Sequence, residues 1–164
     1  LVRWCRGQEG RHPPVSCGIL STVYGPGDYF DDPTRAHVIG ALLGRYWRAK
    51  AASAPGVTVW GTGTPVRDCL HVEDAVDGLL FLAERAVPFP VNLTEGVGRT
   101  ISEIAAACAA AVGYAGKTRL DPAKPDGQLV KVSDPALAAD VGWRARVALP
   151  EGLAATVRWL RRRA

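Results

Sequence analysis

Val57-Thr-Val-Trp60-Gly-Thr-Gly63-Thr-Pro65-Val-Arg67-Asp68-Cys-Leu-His71-Val-Glu73-Asp74 decides how this 164-residue chain reads. Residues 57–60 alternate β-branched and apolar types, the pattern of a short strand. Gly61, Gly63 and Pro65 predict a turn-rich loop whose backbone allows close approach. Arg67 follows at once, and a guanidinium grips a phosphate through two parallel hydrogen bonds. From Val72 the spacing predicts a helix, with Glu73 and Asp74 in its first turn, where carboxylates suit the helix dipole. An aromatic, a loop and an arginine in that order suit a clamp for a flat ring joined to a phosphate. The same residues also read as a hairpin-like connection with Trp60 in the core.

Upstream, residues 1–6 read as the last turns of a helix, and residues 15–23 as one buried strand, largely apolar and uncharged. Tyr24-Gly25-Pro26-Gly27-Asp28 is a turn-rich loop, and Asp31, Asp32, Pro33 and Thr34 are cap candidates. They precede a helix over 36–52 with Val38, Ile39, Leu42, Leu43 and Tyr46 on its apolar face. Downstream, the helix from Val72 continues to about Ala86, with Leu79, Leu80, Leu82 and Ala83 expected inside and Pro88 and Pro90 as its stop. Residues 91–93 read as a strand, and Thr100-Ile-Ser-Glu103 as a capping box opening an Ala-rich helix that Gly113 ends. An exposed strand over 117–120, a breaker-rich loop over 121–128, a short helix after Pro135 and a last amphipathic helix over 151–163 complete the chain.

Strands alternating with helices predict an α/β fold. Only two convincing buried strands emerge, too few for a doubly wound sheet, so further strands are expected outside this chain. There is no Met, even at position 1, and the chain reads as one domain-sized piece of something longer. Net charge is +4, with Arg158, Arg161, Arg162 and Arg163 at the C-terminus. No aromatic residues interleave with a basic patch, so no nucleic-acid partner is expected. No apolar run is long enough to span a membrane. Cys5, Cys17, Cys69 and Cys108 lack metal-ligand spacing and read as reduced thiols in a cytoplasmic protein.

The strings together resemble the C-terminal half of the extended short-chain dehydrogenase/reductases, the NAD-dependent epimerase/dehydratase family. Val23-Tyr24-Gly25-Pro26-Gly27 and Leu70-His71-Val72-Glu73-Asp74 resemble two of its landmarks. Residues 37–45, 54–65, 112–114 and 124–127 resemble the branch that acts as epimerase and reductase on GDP-sugars. The resemblance implies the substrate-binding lobe of a Rossmann-type, NAD(P)-binding fold over residues 1–164. It places the Gly-rich dinucleotide loop, the Tyr-x-x-x-Lys pair and a second epimerisation residue in an N-terminal half ahead of residue 1.

The resemblance also implies roles. His37 takes the position of the acid/base that moves protons beside a ketone, a task suited to imidazole. Arg45, eight residues on along the same helix face, takes a diphosphate-contacting position. Trp60 and Arg67 take GDP-contacting positions, Asp126 one where a carboxylate accepts from a guanine edge, and Lys131 a further substrate position. Leu20, Ser21, Thr22, Val23 and His37 take positions beside the cofactor, implied to be NADP. His71 and Asp74 read as structural. The sequence departs from the family where Leu20 and Thr22 replace its Pro and Asn, and where Gln128-Leu129-Val130 replaces Thr-Pro-Arg. The implied function is the substrate-binding half of an NADP(H)-dependent nucleotide-sugar epimerase/reductase, partnered by a GDP-sugar or other nucleotide-sugar and by its N-terminal half or a second copy. The alternatives are a nucleotide-sugar-binding fragment without turnover, a remnant of another sugar epimerase/dehydratase, and, from the basic balance and arginine tail alone, a basic interaction domain for nucleic acid.

Overall fold

The computed structural model describes residues 15–32 and 35–163. The helix end expected over residues 1–6, Cys5, and the cap candidates Pro33 and Thr34 lie outside the described residues. The apolar run expected as one strand is two: β1 (Cys17–Leu20) and β2 (Thr22–Tyr24), interrupted at Ser21. The break lets neighbouring strands take different partners. β1 pairs in parallel with β6 (Pro90–Leu93), and β2 in parallel with β5 (Cys69–His71). Parallel pairing needs a long crossover, and the helices α1 (Val38–Ala51) and α2 (Val72–Glu84) lie in these crossovers. A second parallel pair joins β3 (Gly56–Trp60) to β8 (Lys117–Asp121). The two-residue β4 (Val66–Arg67) sits between β7 (Arg99–Thr100), antiparallel, and β9 (Val130–Lys131), parallel. The α/β class is as expected, with nine short strands among the described residues where two buried strands and a few short ones were expected.

The remaining helices are α3 (Ile101–Val112), α4 (Ala136–Asp140) and α5 (Leu149–Arg161). α3 begins at the expected capping box: Glu103 N–H donates to Thr100 Oγ1, and the Glu103 carboxylate accepts from Thr100 N–H. It ends at Gly113, whose φ of 71° is the left-handed cap conformation. Its alanines favour helix and leave room for α1 to pack closely. Leu42, Leu43 and Tyr46 of α1, Ile104, Cys108 and Val112 of α3, and Leu153 and Val157 of α5 form one core, with Val57 and Val59 of β3 against it. Leu70, Leu82, Val91, Leu93 and Trp143 form a second core under α2 and α4.

Two burial expectations are corrected. Leu79, Leu80 and Ala83 are exposed on α2; only Leu82 of that set is buried. Ile19 and Leu20 of β1 are exposed too. β1 has a strand neighbour on one edge only among the described residues, so the face and edge that apolarity predicts to be covered are open here.

Candidate functional site

The loop after β3 is bolted to the protein at four points. Gly61 N–H donates to Asp121 O (2.9 Å), and Thr62 N–H to Asp126 Oδ1 (2.9 Å). Gly63 O and Pro65 O accept from Ser102 N–H (3.0 Å) and Ile101 N–H (2.9 Å) at the start of α3. Gly61 and Gly63 have φ of 84° and 76°, and a Cβ on either would stand 2.1 Å from Asp126 Oδ1 or Ser102 Oγ. The close approach foreseen at these glycines is thus made by the protein's own side chains, and the loop is a rigid brace.

Trp60, at the end of β3, is 59% exposed, which rules out the hairpin reading with this ring in the core. Two cations approach its indole. Arg45 Cζ is 5.4 Å from the ring centroid, and Lys124 Nζ is 5.7 Å from it. Arg45 also donates to Thr58 O at 3.2 Å, which holds it against β3. Beneath lies a cleft of about 220 Å³ lined by α1 (Val38, Ala41, Arg45), by Trp60, Pro65 and Arg67, and by Pro125, Asp126 and Gly127. Arg67 donates to its own neighbour Val66 O at 2.7 Å. Sheet register sets Arg67 between Arg99 of β7 and Lys131 of β9. Arg99 is neutralised by a two-pronged ion pair with Glu95 (2.7 and 2.9 Å), and that hydrogen bonding raises the Arg99 pKa further. Arg67, in the cleft lining, and exposed Lys131, its partner on β9, remain as the positive pair.

Four expected site residues, Arg45, Trp60, Arg67 and Asp126, therefore meet around one cleft, with Lys131 beside Arg67. His37 stands at the N-cap of α1, exposed and without a side-chain capping bond, next to Val38 and one turn before Ala41 of the cleft wall. Asp28 faces the same helix start: a Cβ on Gly40 would lie 2.7 Å from its Oδ2. Burial raises the Asp28 pKa, and the nearby His37 opposes that shift.

Sequence reasoning missed Asp68. Its side chain is fully buried, and Oδ2 accepts from Thr94 Oγ1 (2.7 Å) and Ser133 N–H (2.8 Å) while its own N–H donates to Lys131 O (3.2 Å). It ties the ends of β4, β6 and β9 together and so sets where Lys131 stands. Its only sequence signal was a carboxylate in the middle of an apolar strand pair. His71 and Asp74 are structural, as expected: His71 Nδ1 accepts from Glu73 N–H to cap α2, and Asp74 Oδ2 accepts from the Arg146 and Val147 amides. Tyr46-x-x-x-Lys50 repeats the spacing of the reductase pair. However, Tyr46 is buried with its hydroxyl against Thr118 Oγ1, and Lys50 Nζ donates to Val112 O. Both are packing residues.

The cofactor positions fall at the β1–β2 break. Ser21 Oγ is buried without a partner, Leu20 is exposed, and Thr22 and Val23 are half-buried. An unpartnered hydroxyl beside an open apolar surface fits one wall of a dinucleotide site. The chain carries no G-x-G-x-x-G loop, the usual pyrophosphate cradle.

Residues 2–93 match the NAD dependent epimerase/dehydratase family. The chain belongs to this family. It is 38% identical over 160 residues to the probable GDP-L-fucose synthase 1 of Oryza sativa subsp. japonica, covering 96% of this chain and 48% of that protein. It is 39% identical over 169 residues to the GDP-L-fucose synthase of Escherichia coli, covering 96% and 52%. A crystal structure of a GDP-L-fucose synthetase from Naegleria fowleri has the same fold, with a TM-score of 0.86 at 24% identity over 98% of this chain and 51% of that one. The same enzyme bound to NADP superposes with a TM-score of 0.85. The chain spans about half the length of these family members. Among the described residues, no helix is long and apolar enough to cross a membrane.

Proposed function

We propose that this chain is the C-terminal, substrate-binding half of an NADP(H)-dependent nucleotide-sugar epimerase/reductase of the GDP-L-fucose synthase type, working in the cytoplasm on a GDP-4-keto-6-deoxy sugar. The observation that carries this reading is the exposed Trp60 indole approached by Arg45, with Arg67 lining the same cleft and Lys131 its neighbour in the sheet. An aromatic face takes the base, and guanidinium groups take the diphosphate. The rigid brace after Trp60 presets that spacing, which lowers the ordering cost of binding.

His37, on the rim at the start of α1, acts as the acid/base at carbons beside the keto group. Leu20, Ser21, Thr22 and Val23 form one wall for NADP, which when bound supplies hydride to the ketone. The remaining cofactor contacts are assigned to a dinucleotide-binding half outside this chain, which spans about half the length of its relatives. The second reading, nucleotide-sugar binding without turnover, is favoured by Gln128-Leu129-Val130, which puts no positive charge where the family has arginine.

Calorimetric titration with GDP, UDP and dTDP tests the site. GDP binding that falls at least tenfold in both Trp60→Ala and Arg67→Ala is expected. A folded chain that binds none of the three, or whose binding survives both substitutions, refutes the clamp.

A further inference from the structure

Asp126 is engaged more fully than a base-reading carboxylate would be. Oδ1 accepts Thr62 N–H at 2.9 Å and Oδ2 accepts the Thr62 hydroxyl at 2.6 Å, so one residue supplies both donors to both oxygens. The Thr62 hydroxyl has one proton, and it goes to Asp126; Thr62 Oγ1 therefore accepts from the Thr64 hydroxyl (2.7 Å) and the Thr64 amide (3.3 Å). Proton directions along this chain are fixed, and every member points towards Asp126. Gly61 completes the seat, because any Cβ there would strike Asp126 Oδ1. A guanine edge presents N1–H and N2–H side by side and would need the same two oxygens as a fork. Thr62 already supplies one donor to each of those oxygens, so a base edge would have to share them through the remaining lone pairs. The two residues are 64 apart in sequence and join the loop after Trp60 to the loop that closes the cleft.

We infer that Thr62 and Asp126 form a latch, and that Asp126 is a positioning residue rather than the reader of the base. By fastening residues 61–64 to residues 121–127, the latch fixes the distance between the Trp60 ring and the Arg67 guanidinium. This inference rests on the nucleotide-sugar reading of the cleft. It predicts that the latch governs affinity for any nucleoside diphosphate and leaves base preference alone.

The test uses the full chain with Thr62→Val, Thr62→Ser, Asp126→Ala and the Thr62→Val/Asp126→Ala double variant. GDP and UDP affinities are read by calorimetry, and amide exchange of residues 61–64 is read without ligand. Losing a charge-assisted bond weakens binding by about tenfold. Thr62→Val and Asp126→Ala are each expected to weaken GDP and UDP by that same factor. The double variant is expected to be no weaker than either single one, and Thr62→Ser to match the wild type. Exchange at residues 61–64 is expected to speed up in both weakened variants. If Asp126→Ala abolishes a preference for GDP while Thr62→Val leaves both affinities intact, Asp126 reads the base and the inference is overturned. Unchanged exchange in both variants also overturns it. A wild-type chain that binds no nucleoside diphosphate overturns the function reading, and the positioning role with it, while the exchange result separately decides whether the latch exists.

Discussion

Replacing Asp68 by alanine is expected to be among the most destabilising single changes in this chain. The carboxyl is fully buried and accepts two short hydrogen bonds, from Thr94 Oγ1 and Ser133 N–H. Each bond to a carboxylate contributes about 1.5–3 kcal/mol, and the substitution also strands the buried Thr94 hydroxyl. Against this, Asp68 Oδ1 is itself buried without a partner, so removing it relieves a desolvation cost. The net expectation is a loss of about 2–4 kcal/mol. For a chain of this length that is a fall in Tm of about 5–15 °C. Asp68→Asn separates hydrogen bonding from bulk. Its amide oxygen can take the Oδ2 place and keep both bonds, so a loss of under about 1 kcal/mol is expected. Thr94→Val is expected to fall between them, and the Asp68→Ala/Thr94→Val pair to be strongly non-additive. Urea unfolding followed by tryptophan fluorescence measures all four, provided the m-values agree. The reasoning fails if Asp68→Ala lies within about 0.5 kcal/mol of wild type, the range of an ordinary surface change, or if Asp68→Asn costs as much as alanine.

Burial pushes the Cys69 thiol up to about 12, and burial likewise raises Tyr24 and Cys108. In each case the folded state holds the proton more tightly than the unfolded chain; for Cys69 the stability contribution is complete below the unfolded thiol value of 9.0 and is lost as pH rises through about 12. Urea midpoints should therefore fall as pH rises above 9, and iodoacetamide at pH 8.5 should spare Cys69 and Cys108 until urea is added; native labelling of either would contradict this. The open band of Ile19 and Leu20 on β1 and Val76, Leu79 and Leu80 on α2 predicts concentration-dependent self-association or a partly loosened state. Val76→Lys with Leu80→Lys should reduce it, whereas a sharp, cooperative, monomeric transition in the unaltered chain would show that the band needs no cover.

Local chemistry carried much of the fold into the sequence. Thr100 and Glu103 bond across three residues, Gly113 needs only its own φ, and the apolar face of α1 follows from a helical period, so each was readable from neighbours alone. The same holds for Trp60 and Arg67, which are seven residues apart and share one strand-and-loop unit. Long-range choices were different. An apolar run states that a strand is to be covered, and says nothing of which strand covers it, so residues 15–23 read as one element although β1 and β2 take separate partners. Leu79 and Leu80 carried the same apolar signal as Leu82, and only packing decided that Leu82 alone of the three is inside. Asp126 looked like a free loop carboxylate because its partner, Thr62, lies 64 residues away, and Asp68 looked incidental because Thr94 and Ser133 reach it from two other strand ends. The sequence by itself determined the capping box and glycine stop of α3, the α/β alternation and the types of residue gathered at the cleft. Only the tertiary structure decided which carboxylates are already spoken for, because hydrogen bonds between distant segments depend on register and loop closure that no local pattern encodes.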